Sequence, residues 1–181
     1  MPTAVIPVPT GFEEIEVVTI IDILRRGEVG ITVAGLDNIT VTGSHHITLQ
    51  TDVLLDQVLD SPFDLVVLAG GPGTKTLQTD NRVRSLLQRQ AEGQRWIGAI
   101  CAAPIVLAQA GLLEGKNVAA HPTVHDHLGG ALIRSAPVVV DGKIVTGSGP
   151  GAAMDFALQL VSLLRGTAIA QSLAQSMLVP F

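Results

Sequence analysis

A single cysteine, Cys101, is the only thiol in this 181-residue chain. It has no internal partner, which excludes a cystine-stapled scaffold and a redox dithiol. Charge is scarce as well: 15% of the residues are Asp, Glu, Lys or Arg, the net charge is −5, and the 11 Lys and Arg are scattered. Without a basic stripe to neutralise successive phosphates, no nucleic-acid partner is expected. The first ten residues contain three prolines and no basic residue, unlike a secretory signal, and apolar runs are too short to span a bilayer. The expectation is a soluble, cytoplasmic protein with no membrane partner.

Hydrophobic residues are plentiful, at 47% of the chain, with Leu, Val, Ile and Ala spread evenly. This composition suits a sheet buried on both faces, and the length suits one domain over residues 1–181. Short β-branched runs alternate with helical stretches, the pattern of a doubly wound α/β fold with a parallel sheet. The expected strands are 3–8, 31–34, 65–68, 96–100, 117–120, 137–140 and 144–146; the expected helices are 13–26, 81–92, 103–110, 152–164 and 168–177. A hairpin is expected over 40–51 and a two-residue turn at Asp141-Gly142. The first helix carries a β-branched cluster, Val17 to Ile21, that works against it. Its ends favour it: Thr10 and Glu13 have capping-box spacing, Glu13, Glu14 and Glu16 suit a helix start, and Arg25, Arg26 and Gly27 suit a close.

The chemistry centres on Trp96-Ile97-Gly98-Ala99-Ile100-Cys101-Ala102-Ala103-Pro104, where an apolar strand meets small residues and a proline suited to a helix start. A thiol at such a junction gains from unpaired amides and the positive helix end, which lower its pKa. The competing reading, an ordinary buried thiol, stands beside it. The strand 65–68 runs into Ala69-Gly70-Gly71-Pro72-Gly73, a loop that can aim a backbone amide at an oxyanion or serve only as a tight connection. His121 follows the strand 117–120 and is a candidate proton shuttle. Three imidazoles and a carboxylate between His121 and His127 invite a metal reading, but Pro122 breaks the helix and the zincin glutamate is absent, so no metal is expected. A glutamate of the first helix that faced Cys101 would be desolvated and held protonated; the pattern does not choose which one.

Four stretches, Gly11-Phe12-Glu13-Glu14-Ile15-Glu16, Leu68 to Gly73, Ala99 to Pro104 and Thr146-Gly147-Ser148-Gly149-Pro150-Gly151, resemble in order and separation the ThiJ/PfpI superfamily. The likeness is to the branch of the parkinsonism-associated protein DJ-one, in a bacterial-type member, and it spans nearly the whole chain. The resemblance implies a flavodoxin-like sandwich, with a mainly parallel central sheet and helices on both faces, and a homodimer with the first helix at the interface. It also implies roles: Cys101 as nucleophile, Glu16 as the acid/base partner of the thiolate, His121 as the nearby histidine, and the amides of Gly71 and Cys101, beside Gly70, as the oxyanion and substrate site. Where the branch often carries a hairpin arginine, Ser44 is here followed by His45. The implied activity is cofactor-free: a glyoxalase III-like conversion of methylglyoxal to lactate, or deglycase repair of glycated amino groups. A peroxide sensor or chaperone-like protein is the alternative. A peptidase ranks lower for want of a third triad member, and a glutamine amidotransferase lower still, because Ala99 and Ala103 stand where its elbow has glycines.

Overall fold

The computed structural model describes all residues, Met1–Phe181. In chain order the elements are β1 (Thr3–Val8), α1 (Glu14–Arg26), β2 (Gly30–Gly35), β3 (Thr40–Thr42), β4 (Thr48–Gln50), β5 (Val53–Leu54), β6 (Leu65–Leu68), α2 (Thr74–Thr79), α3 (Asn81–Glu92), β7 (Trp96–Ile100), α4 (Pro104–Gln109), β8 (Asn117–Val118), β9 (Leu132–Ile133), β10 (Val138–Asp141), β11 (Ile144–Gly147), α5 (Ala153–Arg165) and α6 (Thr167–Ser176). Side chains alternate between the two faces of a strand, and β1 is apolar on both. Ala4, Ile6 and Val8 enter one core layer, with Val17, Ile20 and Leu24 of α1 and Phe156, Leu160 and Val161 of α5. Val5 enters the other, with Leu77 of α2, Val83 and Leu87 of α3, and Val106 and Leu107 of α4. The α/β sandwich with helices on both faces is thus the observed fold.

The sheet has seven strands in the order β10-β11-β7-β6-β1-β2-β5, parallel throughout except that β10 runs antiparallel to β11. From β1 the chain goes out to β2 on one side and returns to β6 on the other. A crevice therefore opens at the carboxyl ends of β1 and β6, the usual ligand position of open α/β sheets.

Helix α1 forms despite its β-branched cluster because tertiary burial outweighs local preference. Ile20, Ile23 and Leu24 are essentially inaccessible, about 2 kcal/mol each, against a propensity penalty of a few tenths of a kcal/mol per residue. Its cap differs from the expected Thr10–Glu13 box. Glu13 is itself the cap, its Oε2 accepting the Glu16 amide at 2.8 Å. Three further expectations need correction. The strand expected at 117–120 is only Asn117–Val118 and pairs with β9 outside the main sheet, because the chain leaves it to reach Cys101. The turn between β10 and β11 falls at Gly142-Lys143, since Asp141 still pairs with Ile144. Helix α2 was not expected, since Thr74–Thr79 has one apolar residue and no helical stripe.

Candidate active site

Cys101 terminates β7 at the edge of that crevice. Its φ is +65°, a left-handed conformation that costs a non-glycine residue about 1 kcal/mol or more. Three hydrogen bonds impose it: the Cys101 amide donates to the Gly147 carbonyl (2.9 Å), the Cys101 carbonyl accepts the His121 amide (2.9 Å), and Ala103 N–H donates to Ile100 (3.0 Å). The chain reverses sharply from strand to helix, and the thiol is left at the turn.

The Gly70-Gly71 loop packs directly on this turn. A Cβ on Gly70 would stand 2.8 Å from the Cys101 Cβ and 3.0 Å from Glu16 Oε2, so only glycine allows the approach. Gly71 has φ +95°, and a Cβ there would lie 2.6 Å from both Glu13 N and Gly11 O. The Gly70 amide donates to Glu16 Oε2 at 2.7 Å, whereas the Gly71 amide donates to no protein acceptor. The Ala102 amide interacts with the Cys101 sulfur and stabilises negative charge on it.

Glu16 is inaccessible to solvent, and its Oε1 is buried without a well-formed hydrogen bond. Burial pushes its carboxyl up to about 7, against the Gly70 amide and the Cys101 thiol, which favour the ionised form. Burial and the facing Glu16 charge push the Cys101 thiol up as well, to about 12. The expectation of a thiol acidified by the helix end is therefore corrected. Helix α4 is only six residues long, Cys101 is 8% exposed, and a second anion beside Glu16 is what this buried site disfavours. The two groups titrate as a coupled pair, because removing the proton from both would leave two buried anions together.

The oxyanion site also needs revision. The Cys101 amide is committed to Gly147 and the Gly70 amide to Glu16; of the neighbouring amides, that of Ala102 reaches the sulfur and that of Gly71 donates to no protein acceptor. Sequence reasoning missed Ala102 because which amide a turn leaves free depends on its φ angles. His121 is brought to Cys101 through its backbone only. Its ring is half-buried and pairs through Nδ1 with Thr123 Oγ1 at 2.9 Å, with no hydrogen bond to Cys101 or Glu16. The His121 to His127 segment gathers no metal-ligand cluster; His125 Nε2 lies 3.1 Å from the Ala120 carbonyl oxygen instead.

A second group, missed in the sequence, surrounds Glu14. The His45 amide donates to Oε1 at 2.5 Å, and the Ser44 hydroxyl (3.0 Å) and His45 Nδ1 (2.9 Å) both reach Oε2. Burial opposes the charge, but these donors together bring Glu14 down to about 2. His45 is raised in turn by the hydrogen bond and charge of Glu14. The hairpin β3–β4 is thereby tied to the start of α1. Nothing local in the sequence pairs residues 30 positions apart; a buried glutamate on the apolar side of an amphipathic helix was the available signal.

Comparison with known proteins agrees with this geometry. The family model described as the DJ-1/PfpI family matches residues 2–163. Protein DJ-1 homolog A of Arabidopsis thaliana is 38% identical over 98% of this chain, which spans about half (46%) of that protein's length. The glutathione-independent glyoxalase DJR-1.2 of Caenorhabditis elegans is 36% identical over 87% of this chain and 86% of its own. The crystal structure of Drosophila melanogaster DJ-1beta superposes with a TM-score of 0.95 at 36% identity, covering 99% of each chain. These relatives are eukaryotic, so they do not bear out a bacterial type within the branch. The elbow at Cys101, the buried acid on α1 and the doubly wound sheet that unites them thus have a common explanation: the chain belongs to the DJ-1/PfpI family.

Proposed function

We propose that the protein is a cofactor-independent glyoxalase or deglycase acting on methylglyoxal or related reactive carbonyls through Cys101. The observation that carries this is the buried pair of Cys101 and Glu16, with a carboxyl pushed up to about 7 and the Ala102 amide on the sulfur. A carboxylate of that basicity is a fitting proton acceptor at neutral pH. As sulfur bonds to the aldehyde carbon of methylglyoxal, the thiol proton passes to Glu16. The carbonyl oxygen becomes an oxyanion facing the Gly71 and Ala102 amides, then takes that proton from Glu16 to give a hemithioacetal, which leaves Glu16 ionised again. Glu16 then removes the hydrogen from that carbon and returns a proton to the neighbouring one, turning the enediol into a thioester. Water releases lactate and restores the thiol. A glycated amine, as its carbinolamine, would join the scheme at the hemithioacetal: sulfur bonds to the former aldehyde carbon as the carbon–nitrogen bond breaks, and the amine leaves with the thiol proton passed through Glu16. His121 has no role in this scheme beyond supporting the Cys101 turn through its backbone.

The name of the nematode relative supports the glyoxalase reading, as that protein's own activity. A homodimer is part of the proposal. Ile15 and Val18 on α1 are 58% and 45% exposed, and Ile47 of the hairpin is 54% exposed, an apolar face that a second copy would cover. No helix is long and apolar enough to cross a membrane, in keeping with the cytoplasmic location we propose. The test is lactate production from methylglyoxal by metal-free protein. Cys101→Ser is expected to abolish it, and a Cys101→Ser variant with full turnover would refute the nucleophile.

A second reading, a peroxide sensor, is favoured by the same free amides, which suit the oxygens of a sulfinate. Two peroxides would add two oxygens to sulfur and leave two waters. The raised thiol bears on both readings alike, because the thiolate is the species that reacts and Glu16 must take its proton in either case. Its mark would be a gain of two oxygens at Cys101 under mild peroxide, with no turnover of methylglyoxal.

A further inference from the structure

A cavity of about 500 Å³ adjoins the Cys101 turn, with Ala120, Pro122, His125, Arg134, Ser135 and Ser148 in its walls. Chain neighbours of these residues hold that turn: the His121 amide donates to the Cys101 carbonyl, and the Cys101 amide to the Gly147 carbonyl. The cavity thus lies by the carboxyl ends of β7 and β11, where open α/β sheets take ligands. Its volume falls in the range of small-molecule sites, about 300–1,000 Å³, and exceeds what methylglyoxal fills. No residue of α1 or of the β3–β4 hairpin lines it, so it is not part of the face proposed for the homodimer. The walls carry donors but no carboxylate, in a chain of net charge −5. Arg134 Nε donates to Asn117 Oδ1 at 2.6 Å, and Asn117 Nδ2 donates to Asp141 Oδ2 at 2.8 Å. The guanidinium is therefore anchored by Nε alone, and its two terminal amino groups donate to nothing in the chain. Two wall carbonyls are already occupied, Ala120 by His125 Nε2–H at 3.1 Å and Pro137 by the Ser148 amide at 2.9 Å. Free cationic donors beside satisfied acceptors suit an anion.

We propose that this cavity is the subsite for the tail of the substrate, and that Arg134 selects 2-oxoaldehydes whose tail ends in a carboxylate. The proposal rests on the reading of Cys101 as a nucleophile towards reactive carbonyls. The aldehyde carbon bonds to sulfur, and the rest of the molecule runs past His121 into the cavity, where the guanidinium takes the carboxylate through its two free amino groups. A single guanidinium balances one negative charge, which suits a carboxylate better than a phosphate monoester. Arg134 is in this sense a specificity residue: it holds the tail and takes no part in the proton transfers of Glu16. For such a substrate the aldehyde carbon is oxidised to a carboxyl group, the neighbouring ketone is reduced to an alcohol, and one water is added. No outside oxidant is needed.

The test compares 4,5-dioxopentanoate, a 2-oxoaldehyde ending in a carboxylate, with its uncharged methyl ester in steady-state kinetics, alongside methylglyoxal. The expected kcat/KM is about tenfold higher for the acid than for the ester, the lower end of what hydrogen bonds to a charged group contribute. That preference should disappear in Arg134→Met. A second measurement does not depend on turnover: 2-hydroxyglutarate, the product from that acid, is expected to shift the NMR signals of the Arg134 guanidinium and the His125 ring in Cys101→Ser. Turnover of methylglyoxal without a preference for the acid, or a preference that survives Arg134→Met, would overturn the subsite and leave the nucleophile standing. No turnover of any 2-oxoaldehyde, with the Arg134 shifts present, would refute the enzyme reading and keep the cavity as a carboxylate site. With the shifts also absent, both fall.

Discussion

Glu14 and Glu16 stand two residues apart on one helix, both buried, and their carboxyls are driven in opposite directions, to about 2 and about 7. Burial raises both. What differs is the supply of donors: Glu14 faces the Ser44 hydroxyl, the His45 amide and the His45 ring, whereas Glu16 receives the Gly70 amide and a thiol. The hydrogen-bonding surroundings therefore divide the labour. Glu14 is a permanently charged fastener between α1 and the β3–β4 hairpin, and Glu16 is a base whose proton moves near neutral pH. Carboxyls with pKa values set apart in this way are a common sign of acid/base chemistry.

The largest expected break in the comparison is in turnover. Glu16→Gln should lower kcat/KM for methylglyoxal by about 10²–10⁴-fold, the usual worth of a positioned acid/base, while Glu14→Gln should keep it within severalfold; steady-state kinetics on folded variants decides. The second concerns pH. Since Glu16 must be ionised to take the thiol proton, kcat/KM should rise with pH through about 7 and lose that inflection in Glu16→Gln.

Stability should part the two residues with opposite signs. The folded pKa of Glu16 is raised, so its contribution is favourable below the unfolded value and is lost as pH rises through about 7. Glu16→Gln should therefore melt higher than the parent at pH 8 and lose that advantage as the pH falls below 7. The folded pKa of Glu14 is depressed, so its contribution is present above the unfolded value and is lost as pH falls towards about 2. Glu14→Gln should melt lower at pH 8, by the roughly 1.5–3 kcal/mol of hydrogen bonds to a charged group, and converge on the parent in acid. A smaller sharpening is at the surface: Val18→Asp should shift sedimentation from dimer to monomer with little change in the pH at which Glu16 titrates.

Much of this was legible in the chain itself. Strands at 3–8, 65–68 and 96–100 and the helix at 81–92 coincide with β1, β6, β7 and α3, because continuous apolar runs and an amphipathic stripe have few other solutions. The junction at Cys101 was legible for a related reason, since an apolar strand followed by small residues and Pro104 leaves one place for the turn. The electrostatics were not. A thiol beside a helix start reads as acidic until burial and the facing Glu16 are known, and those come from α1, 85 positions earlier in the chain. The free amides of Gly71 and Ala102, and the Glu14–His45 contact, depend likewise on how separate segments meet.

The division between Glu14 and Glu16 is tested most directly by a carbon-13 NMR titration of their side-chain carboxyls from pH 2 to 9. The account predicts that Glu16 titrates near 7 while Glu14 stays ionised down to about 2. Two carboxyls titrating together near the ordinary glutamate value would contradict it.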